Sequence, residues 1–119
     1  MLRYNLTYTL AGHIGNGNFH LIPLIDMSSE EEREKILEIS REVFKLVFEY
    51  KGSMSGEHND GIIRTPFLEM MYGKEVVHLF EEIKDIFDPQ CIFNPGKKVR
   101  GSLDYALKHI STSNVSEHL

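Results

Sequence analysis

The stretch Ala11–His20, "AGHIGNGNFH", places two histidines seven positions apart on either side of a run of glycine and asparagine. Glycine adopts a positive φ without steric cost, and asparagine tolerates that conformation better than most residues. The stretch is therefore predicted to form a tight turn that orients side chains. The imidazoles of His13 and His20, which flank this turn, are placed to converge on one point.

Strand-like sequence on both sides of the turn predicts a β-hairpin. Residues Tyr4–Ala11 alternate and contain many β-branched and aromatic side chains, which are typical of a strand. "NFHLIPLID" (Asn18–Asp26) predicts the second strand, and Pro23 within it is typical of an edge strand or a strand end.

Capping signals and periodicity predict a helix after the hairpin. Ser28 or Ser29 is the expected N-cap, Glu31 or Glu32 completes a capping box, and Gly52 ends the helix. The predicted apolar face of this helix consists of Ile36, Leu37, Ser40, Val43, Phe44 and Val47.

Glycine and proline divide the rest of the chain. Gly52–Arg64, "GSMSGEHNDGIIR", is too rich in glycine for a helix and is predicted to hold a short strand and a loop. The Thr65-Pro66 pair predicts the start of a short helix that ends by Gly73. Further helical segments are predicted over Lys74–Phe87, with Val76, Phe80, Ile83 and Phe87 on one face, and over Leu103–Ile110.

These elements predict one α+β domain in which an antiparallel hairpin or small sheet packs with three to four helices. A lone hairpin is barely stable in water, so we expect the sheet to belong to a larger structure. The polar residues 111–119 are predicted to form a flexible tail.

Composition excludes several classes of protein. The formal net charge of −5, from 13 basic and 18 acidic residues, argues against nucleic acid or an anionic membrane as a partner. No apolar run approaches the roughly 20 residues that cross a bilayer, which argues against membrane insertion. Cys91 is the single cysteine, so no internal disulfide forms, and this fits a reducing cytoplasm.

Three residues form a candidate metal-ligand set. Two imidazoles, of His13 and His20, and the carboxylate of Glu57 suit a divalent ion and leave positions open for substrate or water. The alternative is a polar hairpin whose histidines lie on the surface. His58 follows Glu57, and in an extended chain its side chain points the other way, which frees it to act on a substrate.

The segment Phe87–Val99, "FDPQCIFNPGKKV", has two X-Pro turns around an apolar trio, Cys91-Ile92-Phe93. One interpretation is a loop attached to a core by these three side chains. The other is that Asn94 and Lys97 present an amide and an ammonium group to a bound cofactor.

Three motifs in this order, "GHIGNGNFH", "GSMSGEHNDG" and "IKDIFDPQCIFNPGKKV", resemble the C-terminal end of the FAD-linked oxidase family. That family includes D-lactate dehydrogenases, glycolate oxidase flavoprotein subunits and D-2-hydroxyglutarate dehydrogenases. The resemblance extends from about Tyr4 to Val99. It implies that residues 1–110 are part of a substrate (cap) domain. It also implies that the FAD-binding domain lies outside this chain and that residues upstream of Met1 complete the sheet.

The resemblance also implies a function, the oxidation of a 2-hydroxy acid with transfer of hydride to FAD. It implies that His13, His20 and Glu57 bind a divalent ion, often zinc. It further implies that His58 is the base and that Asn94 and Lys97 lie near the flavin. The implied partners are the 2-hydroxy acid and an FAD-binding domain or subunit, and exposed strand edges predict self-association.

The sequence departs from the family pattern at three places. Asn16 replaces a usual aspartate, the Asn59-Asp60 pair replaces a pair that contains glycine, and Ile22 stands where some members carry asparagine. Two other functions remain open, a small metal-dependent hydrolase that uses the same His, His and Glu residues, and a non-catalytic metal-binding module.

Overall fold

The computed structural model describes residues 4–112, which divide into two units. One unit comprises residues 4–33 with residues 111–112, and the other comprises Glu34–Ile110. The predicted tail, residues 111–119, lies largely outside the described residues.

The first unit contains the predicted antiparallel hairpin. Strand β1 (Tyr8–Ala11) pairs with strand β2 (His20–Pro23), and Ala11 lies opposite His20 next to the turn. Both strands are shorter than the sequence predicts, and Pro23 ends β2 as expected, since proline has no N–H to donate. Among residues 4–112 this is a two-stranded sheet, which together with the helices confirms the α+β class.

Helix α1 (Glu30–Glu49) begins at its predicted cap. The Ser29 hydroxyl oxygen accepts a hydrogen bond from the backbone N–H of Glu32 at 3.3 Å. Three acidic residues in the first turn, Glu30 to Glu32, interact favourably with the positive end of the helix dipole. Beyond the helix, the Gly52 N–H donates to the Val47 carbonyl at 2.8 Å and closes the turn that ends it.

The other helices follow in the second unit. They are α2 (Gly61–Arg64), a 3-10 turn (Thr65–Phe67), α3 (Leu68–Tyr72), α4 (Lys74–Phe87) and α5 (Leu103–Lys108). The prediction for α4 is confirmed at both ends. Four helices of five residues or more lie in the described part of the chain, and none is long and apolar enough to span a membrane.

The short strand predicted within Gly52–Arg64 is wrong. Residues 52–60, all of them described, form bends and a turn, and α2 follows directly. The Ser53 hydroxyl donates to the Ser55 carbonyl at 2.7 Å and accepts from the Ser55 N–H at 3.1 Å. Local side-chain bonds of this kind compete with strand pairing for the same backbone groups.

The core of the second unit surrounds Leu68, which is 1% exposed. Met54 and Phe67 complete its buried cluster, and Phe67 meets Phe44 edge to face with ring centroids 5.0 Å apart. The partly buried side chains that pack against the cluster are Phe44, Phe48, Met71, Val77 and Leu103.

The apolar residues predicted to share one face of α4 differ in their burial. Phe80 is half-buried and meets Tyr72 edge to face with ring centroids 5.6 Å apart, as a residue on an inner face should. Val77 packs against the core cluster instead of Val76. The side chains of Val76, Ile83 and Phe87 are exposed. Val77 and Phe80 therefore lie on the side of α4 that packs against the rest of the unit.

Leu68→Ala should lower the free energy of unfolding by about 2–5 kcal/mol, because it removes a fully buried side chain and leaves a cavity. The matched control is Leu79→Ala on α4, where the leucine is 54% exposed and its loss should change stability by less than ~1 kcal/mol. Urea unfolding midpoints measure both. Equal losses in the two variants would show that the core is not where the structure puts it.

Candidate functional site

The hairpin turn that carries His13 and His20 has a defined backbone. Gly12 has a φ of 125°, and a Cβ atom there would lie 2.9 Å from both the Asn18 side-chain oxygen and the Phe19 Cα. Glycine is therefore required at this position on two grounds, its conformation and the close approach of the chain.

His13 is held in this turn through its backbone. Its carbonyl accepts from the N–H groups of Asn16 at 2.8 Å and Asn18 at 3.2 Å, and its own N–H donates to the Asn18 side chain at 3.3 Å. The residues after it form a 3-10 turn (Ile14–Asn16). His20 is the first residue of β2, so both histidines belong to the turn end of the hairpin. The His13 residue is exposed and His20 is half-buried.

Glu57 and His58 lie on a turn in the loop between α1 and α2. The Asn59 N–H donates to the Gly56 carbonyl at 3.0 Å and closes this turn, and Asn59 has a φ of 54°. The expectation that an extended chain points the two side chains apart does not apply. The Nε2 of His58 lies 3.3 Å from Oε1 of Glu57, and the two side chains are 65% and 41% exposed.

Next to this turn lies a buried carboxylate that sequence reasoning missed. Asp60 is 2% exposed, and its side chain accepts from the Ser55 hydroxyl and from Nζ of Lys98, the latter at 2.5 Å. An aspartate directly before a glycine is typical of a turn or an N-cap, so its type gives no signal of burial. The side chain makes no capping bond to α2.

The segment after α4 is organised by Asp88. The N–H groups of Ile92 and Phe93 each donate to its carboxylate at 2.9 Å, and Nζ of Lys84 donates at 2.5 Å. The Lys84 ammonium group lowers the pKa of the Asp88 carboxyl below its ordinary value of 3.8, and the two backbone donors act in the same direction. Ile92 and Phe93 are exposed, so the interpretation that they attach this loop to a core is wrong.

Arg100 ties the far end of the segment back to α4. Its guanidinium group donates to the Asp85 carboxylate at 2.6 Å. This bond lowers the pKa of Asp85 and raises the pKa of Arg100.

Asn94 and Lys97 lie together on an exposed turn of this segment. The Lys97 N–H donates to the Asn94 carbonyl at 3.2 Å, and its ammonium group lies 3.4 Å from the Asn94 side-chain oxygen. Both side chains are exposed. The cofactor-facing role of this pair remains a prediction.

A family model for the C-terminal domain of FAD linked oxidases matches residues 1–98. The chain belongs to this family. Over 95 residues, this FAD linked oxidase segment is 35% identical to glycolate oxidase subunit GlcD of Bacillus subtilis, a match that covers 80% of the chain and 20% of GlcD. No solved structure gives a significant match.

Two further members of the family are similar to the chain in identity and coverage. The D-2-hydroxyglutarate dehydrogenase of Haemophilus influenzae is 36% identical over 80% of the chain and 9% of its own length. The mitochondrial D-lactate dehydrogenase [cytochrome] of Arabidopsis thaliana is 34% identical over 80% of the chain and 17% of its own length. The chain thus spans a fifth or less of these relatives.

The predicted site residues fall in both units of the chain. His13 and His20 belong to the first unit, which contains the hairpin and is called the hairpin unit below. The second unit, called the helical unit, contains Glu57, His58, Asn94 and Lys97. Within the helical unit the structure brings together Glu57 with His58 and Asn94 with Lys97. The three-ligand metal set remains a prediction.

The depressed pKa of Asp88 predicts the pH dependence of the helical unit. Its carboxylate stabilises the fold at neutral pH, and that contribution is lost as the pH falls below 3.8 through the folded-state pKa. Asp88→Asn should therefore lower the midpoint of urea unfolding at neutral pH. In acid, the midpoints of the wild type and the variant should converge. The control is Asp104→Asn, which removes an exposed ion pair with Lys108 on α5. A gap between wild type and Asp88→Asn that is the same in acid as at neutral pH contradicts this account.

Proposed function

We propose that the chain is the C-terminal part of an FAD-dependent enzyme that oxidises a 2-hydroxy acid. The observation that carries this proposal is the family match over residues 1–98. The relatives are named for glycolate, D-lactate and D-2-hydroxyglutarate, and each of these has a hydroxyl group on the carbon next to a carboxylate. The shared chemistry supports a substrate of this class and not a particular member of it.

We propose that His13, His20 and Glu57 bind a divalent ion, with zinc as the first candidate. Two imidazoles and a carboxylate are a donor set that such an ion accepts. The backbone bonds that hold His13 in its turn and the accessible Glu57 carboxylate support the fit. Such an ion, when bound, lowers the pKa of a coordinated hydroxyl group.

His58 is the proposed base. Its imidazole is accessible to a substrate and lies 3.3 Å from the Glu57 carboxylate. In the proposed reaction His58 takes the proton of the substrate hydroxyl group, the C2 hydrogen leaves as hydride, and the product is a 2-oxo acid. FAD, when bound, supplies the two-electron acceptor.

Asn94 and Lys97 are proposed to face the flavin. Their turn is exposed and polar, and Asp88 holds the chain just before it through two backbone N–H groups. An amide and an ammonium group there offer hydrogen bonds to a bound cofactor.

We also propose that the chain self-associates, because apolar side chains such as Leu79 and Ile86 are exposed on α4.

His13→Ala should lower the zinc content of the purified chain well below one ion per chain, because a three-ligand site loses one of its nitrogen donors. Elemental analysis after equilibration with zinc measures the content. The control is His78→Ala, which removes an exposed histidine on α4 that pairs with Glu81 and Glu82. A His13→Ala chain that retains one ion contradicts the ligand assignment.

Glu57→Gln and His58→Asn should differ in the complete flavoenzyme that contains this segment. Glu57→Gln should weaken metal binding, and added metal should restore part of the activity, because an amide is a poorer ligand of similar shape. His58→Asn should keep its metal and lose about 10²–10⁴-fold in turnover, the usual contribution of a positioned base. Metal titration and turnover rates are the measurements. Near-normal turnover in a folded, metal-bound His58→Asn enzyme would remove His58 from the mechanism.

A further inference from the structure

The loop that carries Glu57 and His58 adjoins a salt bridge between the buried Asp60 carboxylate and Lys98, whose side chain is 46% exposed. Asp60 is 2% exposed, and its carboxylate accepts from Ser55 on the other side of the Glu57-His58 turn. The same carboxylate accepts from Nζ of Lys98, which is 38 residues further along the chain, at 2.5 Å. One carboxylate therefore joins both ends of the turn to the segment after α4.

A second contact reinforces the first. The backbone N–H of Lys98 donates to the Thr65 hydroxyl at 2.8 Å, and that hydroxyl donates to the Gly61 carbonyl at 2.5 Å. Lys98 has a φ of 71°, a conformation that side chains rarely adopt and that persists only where surrounding contacts hold it. Gly101 allows this close approach, because a Cβ there would lie 2.6 Å from Cγ2 of Thr65.

The Lys98 side chain is also oriented by α4. Its ammonium group lies 5.4 Å from the centroid of the Phe80 ring, within the range of a cation–π contact. Phe80 itself is half-buried against Tyr72. The ammonium group thus lies between the Asp60 carboxylate and the Phe80 ring, although the Lys98 side chain is 46% exposed.

We propose that Asp60, together with Lys98, is a positioning residue that fixes the Glu57-His58 turn and couples it to the segment carrying Lys97. Without Lys98, the buried Asp60 carboxylate would lose its counter-charge, and the hydrogen bond between Ser55 and Asp60 would break. The functional meaning of the coupling rests on the proposed role of Glu57 and His58. The structural coupling does not.

The first test measures amide hydrogen exchange by NMR in the whole chain. Lys98→Met keeps the length of the side chain and the strained backbone position but removes the charge. It should accelerate exchange of the Asn59 amide, which closes the turn, by about 10-fold. The Ile92 amide, which donates to Asp88, should not change.

A matched variant reverses this pattern. Lys84→Met removes the Lys84–Asp88 pair, whose atoms lie 2.5 Å apart as in the Lys98–Asp60 pair. It should accelerate exchange at Ile92 and leave Asn59 unchanged. Lys98→Arg keeps the charge and should keep the slow exchange at Asn59. If Lys98→Met does not fold, Ser55→Ala removes only one bond to Asp60 and should produce a smaller acceleration at Asn59 alone.

The second test uses zinc binding and, in the complete flavoenzyme, turnover. Lys98→Met should weaken zinc binding or lower turnover by about 10–100-fold, the usual effect of losing a partner that orients a ligand. Lys98→Arg should restore both. Lys108→Met, on the exposed face of α5, should change neither.

The outcomes separate the two proposals. Unchanged exchange at Asn59 in folded Lys98→Met overturns the positioning role of Asp60. Accelerated exchange in a chain whose wild type neither binds zinc nor turns over substrate supports the positioning role and overturns the proposed function. Accelerated exchange without any effect on measurable zinc binding or turnover overturns the functional coupling.

Discussion

Buried negative charge is the constraint around which the helical unit is organised. Asp60 and Asp88 are buried carboxylates in the described part of the chain, and a carboxylate leaves water only if cations and hydrogen-bond donors replace it. Lys98 forms a salt bridge with Asp60, and Lys84 forms one with Asp88. Because these partners lie in loops or at a helix end, satisfying the two acids determines the course of the chain between α1 and α2 and beyond α4.

The features that could be predicted from the sequence are local ones. The glycine and asparagine residues between His13 and His20 indicate a hairpin because their conformational freedom suits a turn. Ser29 indicates the start of α1 because its hydroxyl oxygen accepts a hydrogen bond from an N–H group of the first turn. The inner face of α4 was harder to predict, since apolar residues lie on more than one side of this helix. Periodicity alone does not show which of these sides packs inward.

In the candidate site too, local features could be predicted from the sequence and contacts between distant residues could not. Ordered motifs identify its residues and the family, because each motif is a short run that can be read directly. The contact of Glu57 with His58 depends on a turn closed by Asn59, and a glycine-rich sequence does not specify whether it turns or extends. The partnership of Asp60 with Lys98 joins residues 38 positions apart, so no window along the chain contains it.

The separation of these contacts along the chain sets an order of assembly. The bonds of Asp88 to Ile92 and Phe93 span four and five residues, so closing these short loops costs little entropy. The bond of Lys98 to Asp60 closes a far longer loop, whose entropic cost is met only after the helices have docked. We therefore expect the attachment of the Glu57-His58 turn to the segment after α4, and not the locally closed turn itself, to form late in folding. We also expect this attachment to open before the helices unfold.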